Sequence, residues 1–458
     1  MAPESHFKTI NPANGELIKS FPSANDEEVH AALDKAHEVY TKDWRHRSVE
    51  DRCKIMGKAA ELMRQRKQEL VELAVLEMGK TIAGMQWEVD LSADILAYYA
   101  DHGSEFLAPK PLPDAPGAVV VSDPIGVVLA IEPWNFPYYQ IARVAGPQLV
   151  VGNTVLLKHA ASVPQCALAV EKLFVDAGAP PGVYTNLFCS ISQVNDLIVD
   201  SRVRGITLTG SERAGASVAE LAGRNLKKVV LELGGSDPLI VLEDAPLQDA
   251  IETGVNMRLF SMGQACTATK RFIVVGKERG QIFAEGVVKK FAELNAGDPM
   301  DPKTTLGPLY AEAGLKGLLE QVEEARAAGA TVVCGGGKID RPGFYMEPAL
   351  ITNIDRKNPL FMKETFGPIA SLYVVDNEEE AIELANATPY GLASIVYSSN
   401  HERAQKVARQ IEAGMVFINQ MFTTQPNLPF GGVKNSGFGR ELSELGINEF
   451  INKKLIKA

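Results

Sequence analysis

Between residues 126 and 419, short β-branched runs alternate with helical segments, and that alternation leaves few folds open. A helix that returns the chain between strands makes those strands parallel, and a parallel sheet needs helices over both faces. Runs at 126–131, 154–157, 184–188, 205–208 and 228–231 read as strands, with helices expected between them at 138–150, 164–177, 193–199 and 212–222. The result is a doubly wound, nucleotide-binding pattern in an α/β chain. A second alternating series follows Gly234-Gly235, with strands near 239–242, 272–275, 331–334, 371–375, 394–397 and 416–419, and implies a second α/β unit.

The flanks read differently. Residues 25–101 carry helical spacing, with Val29, Leu33, Ala36 and Tyr40 on one stripe, whereas 111–122 turn Pro-rich and then β-branched, as an extended arm would. A Gly-rich stretch at 429–439 precedes a short tail. The net charge of -11 is scattered without a long block of one sign, which disfavours duplex nucleic acid or an anionic membrane as partner. No apolar run approaches the roughly 18 residues of a membrane span, and residues 1–6 lack a basic segment followed by an apolar one, so a cytoplasmic location is expected. Five cysteines, an odd number without CxxC spacing, argue against a disulfide framework or a zinc site, and no metal is expected.

Four places can carry chemistry. Cys266 sits in Gly263-Gln264-Ala265-Cys266-Thr267-Ala268, where small neighbours leave sulfur accessible, and a helix start or nearby cation would lower its pKa from about 8.5. A buried, inert thiol is the commoner role for a lone cysteine. Glu232 ends a strand beside Leu233-Gly234-Gly235; partial burial there suits a general base, while a helix cap or salt bridge is the plainer alternative. Pro133-Trp134-Asn135-Phe136-Pro137 follows a strand of the first sheet, at the edge where ligands bind. The stiff loop could aim the Asn135 amide at an oxyanion, or be a turn around a packed Trp134. Gly210-Ser211 opens a helix after a strand, as a phosphate site or as an N-cap.

Together these segments resemble the aldehyde dehydrogenase superfamily over almost the whole chain. The motifs are Pro-Trp-Asn-Phe-Pro at 133–137, Leu-Lys at 157–158, Thr-Gly-Ser at 209–211, Leu-Glu-Leu-Gly-Gly at 231–235, Gly-Gln-x-Cys at 263–266 and Glu-x-Phe-Gly-Pro at 364–368. The resemblance implies Cys266 as nucleophile, Asn135 with the Cys266 backbone N–H as oxyanion hole, and Glu232 as the base that activates water against a thioester. It implies a dinucleotide held by Ile131, Pro133, Trp134, Lys158, His159, Ala161, Ser162, Gly210, Ser211, Leu233, Glu364 and Phe366, with His159 at a cofactor-proximal surface. It also implies a cofactor-binding domain at 1–110 and 125–233, a catalytic domain at 234–428, and an oligomerisation arm and tail at 111–124 and 429–458, making a homodimer or a tetramer of dimers.

Two departures refine the expectation. Many NAD-preferring relatives place an acid three residues after the lysine; here Ala161 neither accepts the ribose 2′-OH nor repels a 2′-phosphate, so NADP is the expected cofactor, with NAD possible. The stretch around Glu232 is similar to bacterial succinate-semialdehyde dehydrogenases of the Sad type, in which Arg143 would anchor the distal carboxylate and Thr424, or Thr423, supply a hydroxyl. A second arginine found six residues before the nucleophile in other branches is Phe260 here, with Arg258 nearby, and Arg143 could instead form a structural ion pair. Alternatives kept open are a broad-specificity enzyme for small aldehydes, a relative passing the thioester to phosphate or CoA, and a non-enzymatic ligand-binding relative.

Overall fold

The computed structural model describes residues 6–458; the expectation about a leader falls on residues outside that range, apart from His6. The helical flank forms Asp26–Lys42, Val49–Gln65, Lys67–Met78 and Ile82–Phe106. Asn25 starts the first helix by accepting from the Glu28 N–H at 2.9 Å while Glu28 accepts from the Asn25 N–H at 2.8 Å, so each satisfies a donor the helix leaves free. Among the described residues, no helix is long and apolar enough to cross a membrane.

The first large sheet runs, edge to edge, Gly437–Phe438, Lys228–Glu232, Val203–Thr209, Val127–Glu132, Thr154–His159 and Tyr184–Asn186. All neighbours are parallel except the first pair. Val127, Val128, Leu129 and Ala130 are all buried, as an apolar run covered by helices on both faces must be. Strand order reverses between Val127–Glu132 and Val203–Thr209, which opens a crevice at their carboxyl ends.

The second sheet is ordered Thr331–Cys334, Ala349–Thr352, Ile369–Val375, Arg271–Val275, Pro238–Val241, Ala393–Tyr397 and Met415–Ile418, parallel except for the first pair. It contains each strand expected from the alternation plus Ala349–Thr352, which the sequence reading missed. The antiparallel hairpin Phe7–Ile10 and Leu17–Phe21 was also missed.

The segment expected to be extended is a strand, Ala118–Pro124, which lies between Lys110–Pro111 and Ile451–Lys457 in a three-stranded sheet. The expectation that 429–458 is one tail needs correction. Val433–Lys434 pairs with Tyr390–Gly391, and Gly437–Phe438 closes the edge of the first sheet. This part of the segment stitches the two α/β units together, and only the last strand joins the arm.

Candidate active site

The carboxyl edge of the first sheet faces the amino edge of the second across a cavity of about 310 Å³. From the first sheet come Pro133, Trp134 and Asn135, then Thr209, Gly210 and Ser211, then Leu233 and Gly234. From the second come Cys266, ahead of Arg271–Val275, and Glu364 with Phe366, ahead of Ile369–Val375.

The Pro133–Pro137 loop is held from behind. Glu88 accepts from the N–H groups of Tyr138 (2.9 Å) and Tyr139 (3.2 Å) and pairs with buried Lys80 at 2.6 Å, whose ammonium lies 3.4 Å from the Phe136 ring centroid. Asn135 is therefore buried and fixed, its Nδ2 donating to the Gln264 carbonyl at 3.0 Å. One amide N–H is spent on that bond and the other remains to serve an oxyanion. Trp134 stacks on Tyr310, centroids 3.4 Å apart, and meets Phe366 edge-on at 5.8 Å.

Cys266 is half-buried, at the end of a tight segment. Ser261 (φ 51°), Met262 (φ 54°) and Gly263 (φ 74°) are consecutively left-handed, which is costly for the two with side chains. Arg258 clamps the turn, donating to the Gly263 carbonyl at 2.8 Å. Of the two settings expected to lower its pKa, Cys266 has no helix start but does have nearby cations: burial pushes the thiol up to about 12, and Lys270 and Arg143 pull against it. Lys270 is engaged elsewhere, with its Nζ 2.5 Å from the Cys266 carbonyl, 3.1 Å from that of Ala265 and 3.1 Å from Glu364 Oε1.

Glu364 also accepts from the Gly235 N–H at 3.0 Å. The glycines of Leu233-Gly234-Gly235 are required by contact: a Cβ on Gly234 would lie 2.5 Å from Glu364 Oε2, and one on Gly235 2.7 Å from the Cys266 carbonyl oxygen. Glu232 ends its strand fully buried, outside the cavity lining, and among the described residues neither carboxyl oxygen has a hydrogen-bond partner. Its carboxyl rests against Gly431, where a Cβ would sit 2.7 Å from Oε1. Burial first and Glu441 second hold its pKa well above the carboxylate range, opposed by Arg143 and Arg440.

The remaining expected residues lie along the first sheet. Ser211 caps the Glu212–Arg224 helix by accepting from the Ala214 N–H at 3.3 Å. Ile131 and Lys158 are half-buried partners on adjacent strand ends, and burial lowers the Lys158 pKa. Ala161 and Ser162 are half-buried in the turn beyond, where the Ala161 carbonyl accepts from the Lys8 N–H at 3.0 Å. His159, expected at a cofactor-proximal surface, is instead buried: Nε2 donates to the Pro137 carbonyl at 3.0 Å and Nδ1 accepts from the Ala160 N–H at 3.0 Å. Burial depresses its pKa to about 4, so it is a neutral strut under the Pro133–Pro137 loop.

Arg143 is the other correction. It is buried, paired with Glu441 at 2.8 Å, and covered by the rings of Tyr139 and Phe430 at 4.7 and 4.5 Å. Burial works against its charge, and Glu441, Tyr139, Glu232 and Glu132 restore it. The structure brings it to neither cavity described here. Thr423 and Thr424 do line a second cavity, of about 500 Å³, with Trp87, Asn256, Phe260 and Gln420, and the Thr424 hydroxyl shares a hydrogen bond of 2.8 Å with Tyr139. Glu441 and Glu132 were missed because their roles depend on neighbours distant in the chain, and Lys270 because it falls in none of the motifs.

The aldehyde dehydrogenase family model matches residues 1–456. Succinate-semialdehyde dehydrogenase [NADP(+)] of Deinococcus radiodurans is 49% identical over 457 residues, covering 100% of this chain and 95% of that protein. A probable enzyme of the same name from Synechocystis is 45% identical, covering 98% of each. Among solved structures, succinic semialdehyde dehydrogenase from Streptococcus pyogenes in complex with NADP+ superposes with a TM-score of 0.97 at 45% identity, over 99% of each chain.

Proposed function

Because the chain belongs to the aldehyde dehydrogenase family, we propose that it oxidises succinate semialdehyde to succinate with NADP through a thioester on Cys266. The observation that carries the chemistry is the convergence of Cys266, Asn135 and Glu364 on one cavity. NADP, when bound, supplies the hydride acceptor. Gly210 and Ser211 at a helix start suit its phosphates, Lys158 and Glu364 its riboses, and Ala161 leaves room for the 2′-phosphate. The relatives named above as NADP enzymes support the same choice.

Burial favours the thiol form of Cys266, so its proton passes to water in the cavity as the sulfur bonds to the aldehyde carbon. The carbonyl oxygen then takes the free Asn135 N–H and the Cys266 backbone N–H. After oxidation, Glu232 takes a proton from water as the water oxygen bonds to the thioester carbon; the C–S bond then breaks, and the departing sulfur recovers a proton, which restores the thiol and frees the Glu232 carboxylate. Its carboxyl reaches that water by swinging off Gly431, whose missing side chain leaves the room.

The distal carboxylate falls to the second cavity, where Thr423, Thr424, Asn256 and Gln420 offer neutral donors. The proposal extends to a cytoplasmic homo-oligomer, dimer or tetramer, in which the exposed edge strand Ile451–Lys457 pairs with another copy. Kinetics with succinate semialdehyde and butanal, each with NADP and NAD, test the function. The largest kcat/KM is expected for succinate semialdehyde with NADP, and Ala161→Glu should move preference to NAD. A higher value for butanal or for NAD with the unaltered protein contradicts the proposal.

A further inference from the structure

Glu132 takes no part in the chemistry above, yet it is fully buried and, among the described residues, both its carboxyl oxygens lack a hydrogen-bond partner. Strand register explains where it points. Thr209 is paired with Glu232, and Ile131, one residue before Glu132, is paired with Leu208, one before Thr209. Residues of one row across parallel strands face the same side, and strands lie about 4.8 Å apart. Glu132 and Glu232 therefore flank Thr209 on one face, at the carboxyl edge of the sheet.

The other groups around that space come from every element packed on it. Arg143 donates to Thr209 Oγ1 at 3.2 Å and pairs with Glu441, and the Thr207 hydroxyl lies 3.4 Å from Glu441 Oε1. The Tyr184 hydroxyl, also buried without a partner among the described residues, lies within reach of the Glu132 charge. His159 on the adjoining strand is neutral and turned to backbone groups. Arg143 thus faces three carboxyls and is held by Glu441 through direct contact, while Arg440, beside Gly431, adds a second guanidinium on the Glu232 side only. Two further carboxylates without partners cannot both stay ionised in one dry space, because desolvation and their mutual repulsion each favour a proton.

We propose that Glu132 and Glu232 form a carboxyl pair carrying at most one negative charge, so that Glu132 sets the pH at which Glu232 can act as base. Glu132 is then a positioning residue that acts through Glu232, and the inference rests on the reading of Glu232 as the water-activating group. Burial followed by the charge of Glu441 raises the Glu132 pKa, opposed by Arg143 and the Thr209 hydroxyl, and Glu132 adds to the raising of Glu232 after burial and Glu441.

The test is the pH profile of thioester hydrolysis, read as steady-state turnover under conditions where hydrolysis limits. Glu132→Gln and Glu132→Met both remove the charge, and each should move the acidic limb down by about one pH unit, or about tenfold in rate on that limb. A limb that stays in place in both variants overturns the pairing. Should neither variant fold, the unaltered protein still decides: its infrared spectrum should hold a buried protonated-carboxyl band at neutral pH, and absence of that band overturns the proposal. Glu232→Gln that still hydrolyses the thioester removes the reading of the base itself, while the infrared band reports on the pair independently.

Discussion

The two parallel sheets meet the active site with opposite ends, and the buried charges beside them differ accordingly. At the carboxyl edge of the first sheet the chain leaves strands to start helices, so free N–H groups gather there, as at Gly210-Ser211, and the buried charged groups at the strand ends are the carboxyls Glu132 and Glu232. At the amino edge of the second sheet the chain arrives through loops whose carbonyls point inward, and buried cations answer them. Lys270 donates to Ala265 and Cys266, Arg258 to Gly263, and Arg271 to Ser236 and Ala385. The lesson is a division of labour in which the first edge supplies anion-binding donors and a base, and the second holds the nucleophile in place.

Removing the nucleophile from the second edge should have the largest effect. Cys266→Ala is expected to cost roughly 10⁴-fold or more in kcat, measured as NADPH formation, because no later step can proceed. Lys270→Met leaves the carbonyls of Ala265 and Cys266 and the Glu364 carboxylate without their shared cation. Breaking such a buried pair costs about 3–5 kcal/mol, so thermal melting should show a large loss together with a raised KM for NADP. Equal melting and unchanged KM would break the contrast between the edges.

On the first edge, His159 gives a pH test whose sign is fixed. Its folded pKa of about 4 lies below the unfolded value of 6.5, so its contribution is complete above 6.5 and is lost as pH falls toward 4. The gap is worth about 3 kcal/mol at most. Urea unfolding at pH 7 and pH 4.5 should show His159→Gln losing less stability between the two than the unaltered chain. Smallest is Ser211→Ala, about 1 kcal/mol of helix-cap stability, with a rise in KM for NADP if the hydroxyl also serves the phosphates.

Much of this contrast was legible in the sequence on one side only. Strand, turn and helix of the first edge are contiguous, so Thr209-Gly210-Ser211 and Pro133–Pro137 announced their place through period and punctuation. On the second edge the strands were mostly legible, and Cys266 was found through its motif, but Lys270 gave no local signal. Arg143 illustrates the limit most clearly: its spacing from Asn135 suggested a ligand anchor, and its partner Glu441 stands 298 residues away (441 − 143) on a segment that the family resemblance assigned to the oligomerisation tail. The buried acid of Glu132 was invisible for the same reason, since only register across three strands sets it in one row with Glu232, across Thr209.

The most direct measurement is the intact-protein mass of Glu232→Gln after mixing with NADP and succinate semialdehyde. With the first edge deprived of its base and the second left whole, a stable adduct of one succinyl group, mapped to Cys266 by peptide analysis, is expected after one burst of NADPH. Rapid multiple turnover with no adduct, or an adduct on another residue, would contradict the account.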